Sequence, residues 1–265
     1  MFTAYLIYCA VGAVAGVLAG LLGVGGGVVI VPMLVFVFSS RGIASDLTMH
    51  LALGTSLASI IFTSISSFMA HHRRDAVRWD IVRRIVFGIM TGTFLGSCLA
   101  SALSTGVLKA FFVAFLYFVS IQLLTDRKPD ASRELPGRCG MFIAGNTIGF
   151  ISSLVGIGGG SLSVPFMLWC NVAVHRAIGT SAAIGLPIAA AGAAGYIFNG
   201  WGTPGLPQYS AGYVYLPALF GIAAISILTA PLGAALAHRL PIGMLKKVFG
   251  VLLILVGTRM LIGLF

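Results

Sequence analysis

Long apolar stretches alternate with short charged or Gly/Pro-rich breaks along the whole chain. They predict helical segments at 3–22, 26–38, 49–70, 84–103, 107–125, 139–155, 160–171, 177–198, 213–237 and 244–264. A helix needs about 20 residues to cross a hydrocarbon core of about 30 Å, so most of these can span. The segments 26–38 and 160–171 reach only roughly 20 Å at 1.5 Å per residue. Each follows a glycine cluster, so 3–38 and 139–171 each read as a helix, a break and a short return.

The chain also repeats itself. Residues 23–34, GVGGGVVIVPML, align without a gap to 156–167, GIGGGSLSVPFM, and HLALGTS at 50–56 matches HRAIGTS at 175–181. Two matches in the same order predict a tandem duplication. Repeat one covers 1–125 and repeat two 139–265, joined by a polar linker at 126–138. Five passes per repeat, counting the short ones, bring the second repeat in from the opposite face, which makes the repeat inverted. Many secondary transporters have this architecture, with the substrate at the repeat interface beside discontinuous helices.

Composition narrows the class further. With 58% hydrophobic residues, 8% charged and a mean hydropathy of +1.06, the chain departs far from a soluble globule, which carries about 25% charged residues. The reading is an all-α, polytopic integral membrane protein forming a single transport domain over 1–265, with the lipid bilayer as a partner. The N-terminal MFTAYLIYCAVGAVAG lacks the positive start of a cleaved signal and is expected to be retained as a span. Cys9, Cys98, Cys139 and Cys170 are far apart in apolar stretches; they read as small helix residues rather than a disulfide or zinc set.

A net charge of +10 reads as membrane topology rather than nucleic-acid binding. Basic residues gather at Arg73, Arg74, Arg78, Arg83 and Arg84; at Arg127, Lys128, Arg133 and Arg138; at Arg176; and at Arg239, Lys246 and Lys247. If both broken segments return to the side they left, all four clusters share one face, which is then cytoplasmic. If each crosses once, the bias falls to roughly nine against six. The first arrangement is the expected one.

The chemistry concentrates at the breaks. Gly25, Gly26 and Gly27, with Gly158, Gly159 and Gly160, lack Cβ atoms and allow sharp turns inside protein, freeing N–H groups that need partners. N–H groups opening the half-helices would point at an anion with the positive dipole end behind them. Ser161 and Ser163 add hydroxyls in the second repeat where Val28 and Ile30 stand in the first, so the site should be asymmetric. Pro32 and Pro165 each free a further carbonyl. The same glycines also suit close helix packing. Thr55, Ser56, Thr180 and Ser181 open the following helices and either line the cavity or bond their own backbone. His50 and His175 lie in the approach to those helices, as neutral interfacial residues or as proton-handling or gating groups. His71 and His72, beside Arg73 and Arg74, read as interfacial.

Asn146 stands a few turns before the second break, within reach of it, and Asn199 ends a later segment. Gln122 suits a helix–helix hydrogen bond. The uncharged, aromatic stretch 198–213 reads as an ordered loop or lid at the outer interface. All six acids, Asp46, Asp75, Asp80, Asp126, Asp130 and Glu134, lie in or beside loops. Cation and proton transporters usually place a carboxylate in the membrane, so a small anionic substrate fits better, with no metal and no cofactor. No enzyme constellation such as HExxH, GxSxG or a P-loop lysine is present. A glycine-lined anion channel is the alternative reading.

GLLGVGGGVVIVPML and HLALGTSLASI, their counterparts SLVGIGGGSLSVPFM and HRAIGTSAAIGLP, the loop GLPQYSAGYVYLPAL and the last helix after LPIGMLKKVFGVLLILVG resemble the sulfite exporter TauE/SafE family across nearly the whole chain. The resemblance implies export or exchange of sulfite, sulfoacetate, thiosulfate or a similar small anion across a bacterial inner membrane. It carries the family's glycine–proline motif onto Gly25, Gly26, Gly27 and Pro32 and onto Gly158, Gly159, Gly160 and Pro165. Its GTS element falls on Thr55, Ser56, Thr180 and Ser181.

Overall fold

The computed structural model describes residues 2–23, 25–125, 134–237 and 242–262; most of the linker expected at 126–138 lies outside them. Ten helices are described: α1 Phe2–Leu22, α2 Gly27–Ser40, α3 Ser45–His72, α4 Trp79–Ala102, α5 Thr105–Thr125, α6 Arg138–Val155, α7 Gly160–Trp169, α8 Val174–Gly200, α9 Leu216–Ala237 and α10 Ile242–Ile262. Among the described residues, six helices are long and apolar enough to cross a membrane. The chain is therefore an all-α polytopic membrane protein, and α2 and α7 are the two short helices expected after the breaks. Several boundaries differ from expectation, most of all the start of α4, at Trp79 rather than 84. The segment 213–237 starts its helix only at Leu216, because β1 Ser210–Ala211 and β2 Val214–Tyr215 form a small antiparallel hairpin before it. His50 and His175 lie inside α3 and α8, which begin earlier than the apolar runs because their first turns are polar.

Packing follows from glycines spaced four apart, which present a groove on one helix face. A Cβ added at Gly12, Gly16 or Gly20 of α1 would run into the backbone at Ile222, Ser226 or Ala230 of α9. On α4, Gly88, Gly92 and Gly96 meet Phe142, Asn146 and Phe150 of α6 in the same way. Partner numbers rise together, so α1 runs parallel to α9 and α4 to α6. In a membrane, where apolar burial does not favour helix contact over lipid, such backbone approach is what holds helices together. Glycine therefore has a close-packing role well away from the breaks.

The central helices run the other way. Gly192 of α8 meets Leu57 of α3, while Gly185 meets Ser64. Partner numbers fall as the others rise, so α3 and α8 are antiparallel. The α5–α10 pair is antiparallel too, with Tyr117 Oη 2.8 Å from Thr258 Oγ1 and Ser120 Oγ donating to the Gly250 carbonyl at 2.6 Å. The Tyr215 N–H donates to Thr55 Oγ1 at 2.9 Å, so α3 and α9 start at one end of the molecule. The Arg78 N–H donates to Thr180 Oγ1 at 2.9 Å, so α4 and α8 start at the other. α1 starts with α9 and α6 with α4, and short turns join α2 to α3 and α7 to α8. Both broken segments therefore return to the end they left. The connection 73–78, the ends of α5 and α6 that flank the linker, and Arg176 share one end; Arg41 and the 201–215 loop lie at the other.

Candidate transport site

Both breaks are bounded by the same left-handed turns, and the first has a further one at Gly25. Gly23 and Gly156 end α1 and α6 at φ of 67° and 68°, and Gly26 and Gly159 precede α2 and α7 at 75° and 74°. These left-handed values strain any residue with a Cβ. Neither short helix has a side-chain cap at its N-terminus, so the N–H groups of its first turn point out of the helix end with the positive dipole.

The breaks meet each other. A Cβ on Gly25 would lie 3.0 Å from Gly158 Cα and 3.1 Å from Ile60 Cγ2, and one on Gly27 would strike the Gly156 carbonyl. Ile60 stands near the middle of the 28-residue α3, and Gly185, near the Gly158 carbonyl, stands near the middle of α8. The contact is thus at half depth.

Each GTS element proves to be a docking point between the repeats. Gly54 lets the Tyr213 carbonyl lie against α3, and Gly179 lets the Ala76 carbonyl lie against α8. Thr55 and Thr180 accept from the backbone N–H two residues further on, at Tyr215 and Arg78. Ser56 Oγ donates to the Gly156 carbonyl at 2.7 Å, and Ser181 Oγ to the Gly23 carbonyl at 2.9 Å. Each break's first carbonyl is therefore held by the other repeat's serine. Ser163 Oγ lies 2.8 Å from Ser181 Oγ and joins this network.

His50 is buried, its Nδ1 3.1 Å from the Asp46 carbonyl and its Nε2 3.1 Å from those of Ala100 and Leu103. It ties the start of α3 to the end of α4, away from the breaks. His175 is exposed in the first turn of α8. Asn146 does not reach the break: its Nδ2 donates to Thr91 Oγ1 at 3.1 Å, because its face of α6 is turned to α4. Asn199 Nδ2 donates to the Gly195 carbonyl at 2.7 Å. His71, expected at the interface, is buried with Nε2 2.8 Å from the Gly20 carbonyl, while His72 is exposed and accepts from Trp79 Nε1. The loop is anchored by the bonds of Tyr213 and Tyr215 to α8 and α3. Arg41 Nη1 donates to Tyr215 Oη at 3.1 Å across the repeats.

Two residues at the second break carried no motif. Ser152 Oγ lies 3.3 Å from where a Cβ on Gly159 would be, and Thr93 Oγ1 faces Gly149, one turn earlier on α6. Ser152, Thr93 and Ser161 are buried with no hydrogen-bond partner for their hydroxyls. Comparing the repeats could have flagged Ser152, which stands where the first repeat has Ala19. Thr93 had no such signal. Among the described residues no cluster of His, Cys, Asp and Glu could hold a metal.

The sulfite exporter TauE/SafE family model matches residues 8–260. A probable membrane transporter protein of Haemophilus influenzae is 39% identical over 261 residues, covering 98% of this chain and 99% of its own. Another, from Methanocaldococcus jannaschii, is 27% identical over 263 residues, covering 95% and 93%. No solved structure matches the chain. With unsupported helix ends meeting inside a membrane bundle, and a match that runs almost end to end, the chain belongs to the sulfite exporter TauE/SafE family of membrane transporters.

Proposed function

We propose that the chain is a secondary transporter that moves a small sulfur-containing anion, such as sulfite, sulfoacetate or thiosulfate, across a bacterial inner membrane by alternating access. One observation carries the reading: two uncapped half-helix N-termini meet at half depth, between counterpart helices α3 and α8 that run antiparallel. An inverted repeat produces this arrangement, and it supports exposing one site to either face in turn. The end holding the basic connections is the cytoplasmic one.

The moving bodies are not the sequence halves. Glycine contacts lock α1 to α9 and α4 to α6, each pair mixing the two repeats. Rocking takes place between these two interlocked pairs, about α3 and α8. The test is counterflow of labelled sulfite in proteoliposomes. Saturable uptake accelerated by sulfite inside supports a carrier, whereas uptake insensitive to internal sulfite, with large ionic currents, refutes it in favour of a channel.

A further inference from the structure

The breaks share their bounding left-handed turns and differ in surroundings. Around Gly159, α6 and α7 supply the hydroxyls of Ser152 and Ser161, 0% and 7% exposed, and one turn back α4 sets Thr93, 0% exposed, against Gly149; all three hydroxyls lack partners. The equivalent positions around Gly26 follow from the shared register, in which Gly23 matches Gly156 and the Tyr213–Gly54 contact matches Ala76–Gly179. They are Ala230, Ala19 and Val28, with no polar side-chain atom among them. A buried hydroxyl without a partner is costly to leave unmade, and two beside one uncapped helix N-terminus with a third a turn away, against none at the equivalent positions of its twin, mark a difference in ligand.

We infer that the site is one-sided: one singly charged oxyanion per chain sits at the N-terminus of α7, accepting from the hydroxyls of Thr93, Ser152 and Ser161 and from the first N–H groups of the helix. This rests on the transport reading above and narrows it: sulfite, which can bind as hydrogensulfite, stays a substrate, while thiosulfate and sulfoacetate, dianions near neutral pH, do not. The positive charge on offer is the helix end, equivalent to about half an elementary charge, with neutral hydroxyls beside it. Other charged and titratable groups on the surrounding elements lie toward helix ends or bond elsewhere. Asp80, Arg83 and Arg84 open α4, Arg138 and Cys139 open α6, and His175 and Arg176 open α8. Arg84 precedes Thr93 by nine residues, roughly 14 Å of helix. Tyr196 Oη donates to the Ser153 carbonyl, and Cys98 Sγ accepts from Asn199. The desolvation cost of an ion rises as the square of its charge, so a dianion has no compensation here and a monoanion does. A substrate such as sulfite then binds with its proton attached, and no protein carboxylate is needed to carry one.

The test is calorimetric titration of the purified chain with sulfite and with chlorate, a pyramidal three-oxygen anion whose charge stays at one. One equivalent should bind per chain. Sulfite affinity should fall about tenfold for each pH unit above its second ionisation, while chlorate affinity stays level. Ser152→Ala and Ser161→Ala should each weaken binding about tenfold or more, and Ala19→Ser should leave it unchanged. Removing an unpartnered oxygen leaves the ligand-free melting temperature unchanged or higher, which separates this outcome from misfolding; Thr93→Val is the second variant. Two equivalents, unaltered binding in both serine variants, or sulfite affinity rising with pH would overturn the one-sided site while sulfite counterflow leaves the transport reading standing. A wild-type chain that neither binds nor moves any oxyanion overturns both.

Discussion

Three glycine-to-alanine changes separate the two reasons the breaks need glycine. Gly42 has φ 72° and nothing within 4 Å of an added Cβ, so Gly42→Ala carries backbone strain alone; left-handed backbone costs about 1–2 kcal/mol for a residue with a Cβ. Gly27 has no positive φ, but its Cβ would strike the Gly156 carbonyl. Backbone cannot swing aside, so Gly27→Ala carries overpacking alone, about 1–3 kcal/mol. Gly25 combines both, with φ 78° and a Cβ position 3.0 Å from Gly158 Cα and 3.1 Å from Gly158 N. Gly25→Ala is expected to cost about 2–3 kcal/mol, the strain plus the low end of overpacking, because its contacts are tight rather than overlapping. Equilibrium unfolding in mixed micelles, read by tryptophan fluorescence and circular dichroism, ranks the three. Gly25→Ala and Gly27→Ala should both be less stable than Gly42→Ala and lose sulfite counterflow, while Gly42→Ala keeps it. If Gly25→Ala is no less stable than Gly42→Ala, the two breaks are not in contact and the half-depth site is wrong.

Ser56→Ala and Ser181→Ala should each destabilise by at least about 0.6 kcal/mol, the low end for hydrogen bonds between membrane helices, and Ser181→Ala should cost more because it also strips Ser163 of its partner; no loss in either variant would refute the matched arrangement. His50→Gln should lower stability by about 1–2 kcal/mol, since the shorter reach of the amide no longer bridges the start of α3 to the end of α4, and leave the pH profile of transport unchanged; a shifted profile at full stability would assign His50 to proton handling instead. Cys139, exposed at the basic end, should react with an impermeant maleimide only from the cytoplasmic side, and Gln208→Cys only from the outside. Labelling of both from one side would refute the orientation.

Much of the fold was legible along the chain because a membrane imposes lengths. Stretches near 20 apolar residues read as spans, and the two short ones after GVGGG and GIGGG read as returns. The duplication was visible because both copies keep glycine where φ is positive, and no other residue fits there without strain. Side-chain direction was not legible. Asn146 is as close to the break in sequence as a ligand should be, yet its turn of the helix faces Thr91. The GTS hydroxyls, read as lining a cavity or bonding their own backbone, hold backbone groups of the opposite repeat, which lie 100 or more residues away.

What the sequence determined by itself is therefore local: where helices start and stop, which glycines must turn, and how charge is shared between the two ends. What only the tertiary structure decided is which faces meet. Period-four glycines on α1 and α4 are compatible with any partner, and only the packed bundle pairs them with α9 and α6 across the repeats. Ser152 and Thr93 are ordinary small residues in apolar helices until α6 meets the break before α7 and α4 packs against α6 and α8. Their burial without partners exists only in three dimensions, because burial is a property of neighbours and not of the residue.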